Sequence, residues 1–301
     1  MGHLIVLNKD ADSISVIDTD TGETERTVET DFNPHEVAVG PAGKKVYVTC
    51  SLGGSLIVYD TETWDREVTI THELFEFPHG LAVRESADEL WLASTYSSEV
   101  FVLDTNTNEI LDHFPTRRDK SHMVSLSPDE SRAFVANIGS DDVTVVDCDD
   151  REIVSHVDVG EGPEGIEAMD EYVLVANQED ARLSVIDHDE LEVVNQALLG
   201  TTPIRVVPQP DGRYVLVPNR ESNDVSVIDT EHVRDGERRP WEIARIPVGR
   251  WPGGTVFDPA GDTAYVANNK TNDVSVLDLD TFEAVERFDT GIHPDGIAYL
   301  A

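Results

Sequence analysis

Cysteine, lysine and long apolar runs are all scarce in this chain of 301 residues. Two cysteines, Cys50 and Cys148, are too few for a disulfide scaffold, so free thiols in a reducing compartment are expected. Only 5 Lys stand beside 17 Arg, and together they face 60 acidic residues for a net charge of −38. A nucleic acid would meet repulsion where it needs a basic footprint, and that class of partner is not expected. Excess Asp and Glu with little Lys suits hydration in concentrated salt, where screening over ~3 Å removes self-repulsion, so a halophilic source is expected. No 18 apolar residues run together, and the opening Met1-Gly2-His3-Leu4 has neither a basic nor a long apolar stretch. The expectation is a cytoplasmic monomer with no membrane span or leader.

What the chain does have is self-similarity. A segment of the form V-x-V-[IVLY]-D recurs with its Asp at Asp18, Asp60, Asp104, Asp147, Asp187, Asp229 and Asp278. Ten residues before each stands Asn8, Cys50, Ser94, Asn137, Asn177, Asn219 or Asn268. Between these landmarks apolar and polar residues alternate with period two, and turn residues such as Pro210-Asp211-Gly212 and Pro259-Ala260-Gly261 punctuate them. Repeats of 40 to 49 residues with four short strands each are propeller blades, and seven of them predict an all-β seven-bladed β-propeller over 1–301 as one domain. The chain starts on a second strand, Leu4–Leu7, and ends on a first strand within 294–301. The two termini are therefore expected to share a blade.

The runs Tyr265-Val266-Ala267-Asn268, Asn272-Asp273-Val274-Ser275-Val276-Leu277-Asp278 and Gly291-Ile292-His293-Pro294-Asp295-Gly296-Ile297-Ala298 resemble the YVTN-repeat family of seven-bladed β-propellers over the whole chain. That resemblance implies the fold. For function it implies a wide range, including surface-layer proteins, DNA-binding proteins, lactonase-like and lyase-like enzymes, and metal- or haem-holding domains.

The repeated Asp opens turns in which a carboxylate accepts backbone N–H groups, and the repeated Asn is expected to tie the loop between second and third strands. A longer connection in blade 6, with Arg234, Arg238 and Arg239, reads as a solvated loop. Functional chemistry concentrates in the position after the residue, usually Pro, that starts each innermost strand. Blade by blade it holds His35, His79, His122, Glu164, Ile204, Gly253 and Asp295. In a closed ring Asp295 neighbours His35, so five consecutive blades present Asp, His, His, His and Glu at the tunnel mouth.

Neutral imidazoles flanked by carboxylates suit a divalent transition metal (Zn, Fe, Cu or Ni), with His35, His79, His122, Glu164 and Asp295 as its ligand set. The alternative is a polar tunnel filled with ordered water. Cys50 reads either as a further ligand or as an apolar filler. Cys50, Ser94 and Asn137 are also candidates for orienting the three imidazoles. Phe32, Phe77, Tyr96, Trp251 and His293 form expected walls for a small-molecule ligand or substrate, with Arg205 either as its counter-charge or as the partner of Glu164. His72, His113, His156, His188 and His232 are expected to be solvated. Two function classes follow. One is a metal-dependent hydrolase, lyase or oxidase using Glu164, Asp295 and Arg205. The other is a non-catalytic scaffold or ligand-binding propeller.

Overall fold

In a computed structural model that describes residues 2–234 and 240–301, the chain forms seven four-stranded antiparallel sheets. Arg238 and Arg239, expected in a solvated loop, lie outside the described residues. Blade 1 is built from both ends of the chain: Pro294–Leu300 is innermost, followed by His3–Asn8, Ser13–Asp18 and Thr24–Glu29. Its closure pairs His3 with Leu300, Ile5 with Ala298 and Asn8 with Pro294. Blades 2 to 5 begin at Pro34, Pro78, Ser121 and Pro163, and blade 7 at Pro252. Blade 6 has the shortest inner strand, Val207–Pro208. Pro218 on the next strand lacks an N–H, which removes one ladder bond there.

The alternation of each second and third strand buries one apolar row against the blade before and one against the blade after. Ile5, Leu7 and Ile14 pack on Val46, Val48 and Ile57 between blades 1 and 2, and Leu4, Val6 and Ile17 pack on Tyr265, Val274 and Val276 between blades 1 and 7. Five further clusters fill the remaining junctions, so apolar packing closes the ring.

The two repeated polar positions act as the sequence implies. Asp18 Oδ1 accepts the N–H groups of Asp20 and Thr21 at 3.0 and 2.8 Å, and the same turn recurs at Asp60, Asp104, Asp147, Asp187 and Asp278, while Asp229 accepts only the N–H of Glu231 at the start of a short helix, Thr230–Arg234. Asn8 Nδ2 donates to Ser13 and Ser15 across the hairpin it begins, and Asn137, Asn219 and Asn268 bond the equivalent residues of their blades.

Candidate functional site

Every innermost strand gains one residue against its neighbour near its start. Pro34 pairs with Cys50 and Glu36 with Thr49, leaving His35 as the extra residue; His122 and Glu164 are extra in the same way. Such a bulge turns its side chain out of the ladder, here toward the tunnel. The residue before each Pro, or before Ser121 in blade 4, takes a left-handed backbone: Asn33, Phe77, Lys120, Gly162, Thr202, Trp251 and His293, with φ between 56° and 64°. Its carbonyl accepts the N–H of the residue after the repeated Asn position, as in Lys9 to His293, Thr95 to Phe77, Arg220 to Thr202 and Asn269 to Trp251. Three registers of side chains therefore surround the mouth.

The three histidines meet. The rings of His35 and His79 are 4.3 Å apart between centroids, and His79 stacks on His122 at 3.6 Å and 27°. Glu36, one residue beyond the expected column, joins them: its Oε1 lies 3.8 Å from both His35 Nδ1 and His79 Nε2. One ligand atom each from His35, Glu36 and His79 can be chosen so that all lie within 4.8 Å of one another. His35 Nδ1 and both ring nitrogens of His79 are buried without a hydrogen-bond partner among the described residues. Burial, more than the neighbouring charges, holds the pKa of His79 well below the usual imidazole value and that of His122 down at about 3, so both rings are neutral donors near pH 7.

The carboxylates of the expected ligand set are already engaged. Lys9 Nζ lies 2.9 Å from Asp295 Oδ2 and donates to His35 Nε2 at 2.8 Å, with Asp295 Oδ2 itself 3.6 Å from that nitrogen. Glu164 Oε1 is 3.3 Å from Arg220 and 3.8 Å from Arg205. Burial alone would raise both carboxyl groups. The charges of Lys9 on Asp295, and of Arg220 and Arg205 on Glu164, outweigh it and hold both below the ordinary range. A carboxylate held that way is a weak proton acceptor at neutral pH, which suits it to anchoring charge better than to general-base work. Arg205 pairs first with Glu36 and second with Glu164 at 3.8 Å, so the expected partnership with Glu164 is present but secondary. Since Glu36 and Arg205 belong to blades 2 and 6, their ion pair spans the tunnel.

Above this pair opens a cavity of about 340 Å³ lined by His35, His122, Phe77, Tyr96, Trp251 and His293 among others, with Lys9, Lys120, Arg220 and Asn269 also in its wall. Below it lies a chamber of about 160 Å³ lined by Glu36, Arg205 and Glu167. Phe32, expected in the wall, is exposed and outside it. Lys9, Thr95, Arg220 and Asn269 were missed. Their signal was present, since each directly follows a repeated Asn-position landmark.

The supporting roles expected of Cys50, Ser94 and Asn137 are corrected. Cys50 packs among Ile5, Val48 and Ile57, and burial pushes its thiol up to about 12, which makes it an apolar filler. Ser94 Oγ donates to the carbonyls of Leu74 and Glu76, and Asn137 bonds Asp142 and Thr144. Thr95 is the side chain that bonds an imidazole, His122 Nδ1, at 3.0 Å. Among the outer histidines, His188 lies on Phe134 with a buried Nε2, and His72 packs against Phe101 and His113. A second acidic group, His3 with Asp18 and Glu25, sits on the opposite face, where Asp18 is occupied by its turn and Glu25 is exposed.

No protein-family model and no curated protein matches the chain. In three dimensions it is similar to hydrazine synthase of Kuenenia stuttgartiensis (20% identity, 92% of each chain covered, TM-score 0.82). It is also similar to a functionally unknown protein from Desulfotomaculum acetoxidans (13% identity, 99% of this chain and 98% of that one, TM-score 0.86). A protein from Lactobacillus plantarum is a third such structure (17% identity, 100% of each chain, TM-score 0.84). At such identities the likeness is one of fold, and this chain is a seven-bladed β-propeller with a His/Glu cluster that could hold a metal ion.

Proposed function

We propose that the protein is a YVTN-type propeller that binds a divalent transition metal at the tunnel mouth and takes a small molecule into the cavity above it. The single observation that carries this reading is the pair of buried, unpartnered imidazoles: His35 Nδ1 and His79 Nε2, each 3.8 Å from the same Glu36 oxygen. Leaving such groups buried and unbonded is unfavourable by ~1–3 kcal/mol apiece, and an ion or an ordered water removes that penalty. Ligands of a tetrahedral ion at ~2.0–2.2 Å stand about 3.3–3.6 Å apart, so the 3.8 Å spacings to Glu36 need only a small contraction, and all three ligand atoms already lie within 4.8 Å of one another. His35, His79 and Glu36 are the ligands in this reading, and His122 stacks behind His79.

A metal-bound His35 would carry its proton on Nε2, where Asp295 at 3.6 Å is the acceptor and Lys9 is released from the ring. When bound, the ion would supply Lewis-acid polarisation of an oxygen on the small molecule. Glu164 and Asp295 hold Arg220 and Lys9 at the cavity wall, and Arg205 fixes Glu36. This supports a metal-dependent enzyme, and its reaction class follows from the ligand. The acidic composition supports a salt-rich setting for it.

A second reading is favoured by charge balance. Three carboxylates, Glu36, Glu164 and Asp295, already meet three cations, Lys9, Arg205 and Arg220, so the cluster is neutral without an ion. On that reading the propeller binds its ligand without metal. Elemental analysis of protein purified without chelator separates the two. About one transition-metal ion per chain, lost in His79→Ala while the far-UV circular dichroism is kept, supports the metal reading. A metal-free wild type that also fails to bind added Zn²⁺ or Ni²⁺ sinks it.

A further inference from the structure

We infer that the mouth cavity is built for a small organic anion with a flat apolar body, of the kind an aryl carboxylate or aryl phosphate presents. The inference rests on the proposal that this cavity takes a small molecule, and not on the metal.

The first support is where the scarce lysines lie. In a chain of net charge −38 with 5 Lys, two line this one cavity, Lys9 and Lys120, and a third, Lys270, stands 4.2 Å over the ring of Trp251 at its wall. Lys9 is matched by Asp295, as Arg220 is by Glu164. Lys120 and Lys270 have no carboxylate within ion-pair distance among the described residues, although acids outnumber bases by 60 to 22 in the sequence. Both side chains are exposed, and with Lys9 they gather three of the chain's five lysines at one mouth, a local cationic rim on an acidic protein that favours an anion from outside.

The second support is the left-handed ring. Of its seven members, Asn33 and Gly162 are residue types that tolerate the conformation and Thr202 is β-branched, and none of these three lines the cavity. The four that do line it are Phe77, Lys120, Trp251 and His293. Left-handed Trp64, Leu191 and Phe282 on the opposite face each pack against an apolar core cluster, which accounts for them. None of the four mouth residues belongs to a core cluster. Phe77 rests on His35 and His79, His293 bonds Asp10, and Trp251 lies under Lys270 and Arg220, so these side chains turn toward the mouth and its charged groups rather than into the core. They supply two flat apolar surfaces, Phe77 with Tyr96 at 5.2 Å and Trp251 opposite, and the cationic Lys120 between.

The test is a titration of benzoate, phenyl phosphate, benzamide and acetate into the full chain, metal-stripped and Zn²⁺-loaded, at moderate salt, followed by calorimetry. Benzoate or phenyl phosphate should bind at least about tenfold more tightly than benzamide and acetate, a factor well within calorimetric resolution. Lys120→Gln should weaken the aryl anions about tenfold and leave benzamide unchanged. Trp251→Gly should weaken them while the melting temperature stays level or rises, an outcome that a purely structural tryptophan would not give. Benzamide or acetate binding as tightly as benzoate overturns the inference, as does wild-type affinity in both variants. Aryl-anion binding in metal-free protein upholds it even where the metal reading fails, and a bound metal without that selectivity overturns it alone.

Discussion

The two faces of the propeller are built from the same seven-fold pattern, yet one is uniform and the other is not. On the turn face the repeated Asp makes the same pair of amide bonds in six blades and one of the two in blade 6, and the bulky left-handed residues there are sunk against the core. On the mouth face the equivalent registers hold histidine, lysine, arginine, glutamate, phenylalanine and tryptophan, differing from blade to blade. Uniformity marks positions that folding alone dictates, and departures from it mark positions with other duties. The difference predicts that mouth residues should answer to acid, charge removal and ligand, whereas turn residues should answer to stability alone.

Acid should break the comparison most strongly. His79 and His122 have lower pKa values folded than unfolded, so between the two values the unfolded chain binds more protons and stability rises with pH. Stability is intact above about 6.5 and falls as pH drops through it, for His122 down to about 3, at up to ~1.4 kcal/mol per pH unit for each ring. Glu164 and Asp295, depressed when folded, contribute stability that is lost as pH falls below the ordinary carboxylate range, in the same direction. Urea midpoints at stepped pH should therefore slope downward from pH 7 to 4, and His122→Asn should flatten the slope. An unchanged slope in that variant would place the acid sensitivity elsewhere.

Removal of one charge comes next. Glu36→Ala leaves Arg205 buried with only Glu164 at 3.8 Å and should lose about 3 kcal/mol in chemical denaturation. On the turn face, Glu231→Ala breaks an exposed pair with Arg213, which keeps Asp229 as its partner, and should leave the midpoint where it was. Equal losses in the two variants would erase the distinction between the faces.

The smallest effect is the sharpest. Phe282→Gly relieves a left-handed backbone but gives up packing against Leu216, Val227 and Phe257, for a net loss of about 1 kcal/mol. Trp251→Gly relieves the same conformation without a core contact to lose, so its stability should hold or rise by up to ~1 kcal/mol. Thermal melts of the pair with opposite signs are expected. Matching losses would mean that Trp251 is structural.

These contrasts also explain what the sequence disclosed. Blade number and the Asp position were legible because that landmark recurs seven times, and terminal closure was legible because the chain starts on a second strand and ends on a first. The convergence of His35, His79 and His122 was legible because one register on consecutive blades must meet at the axis. Glu36 was not, because strict alternation sends the residue after His35 to the other side of the strand. The bulge at His35 suspends that alternation and lets both side chains reach the tunnel. The partner of Arg205 was hidden for another reason: Glu36 is 169 residues away across the ring, a contact that no spacing within a repeat encodes. Lys9 and Arg220 stand one residue past a landmark read only for its turn bonds.

The central claim is that the unpartnered nitrogens of His35 and His79, with the Glu36 carboxylate that Arg205 holds, form a metal site. Anomalous diffraction at the zinc edge, from crystals of the full chain grown with Zn²⁺, tests it most directly. The account predicts a peak within about 2.0–2.3 Å of His35 Nδ1, His79 Nε2 and a Glu36 oxygen, with Lys9 withdrawn from His35. A map with no peak there and Lys9 still bonded to His35 Nε2 would contradict it.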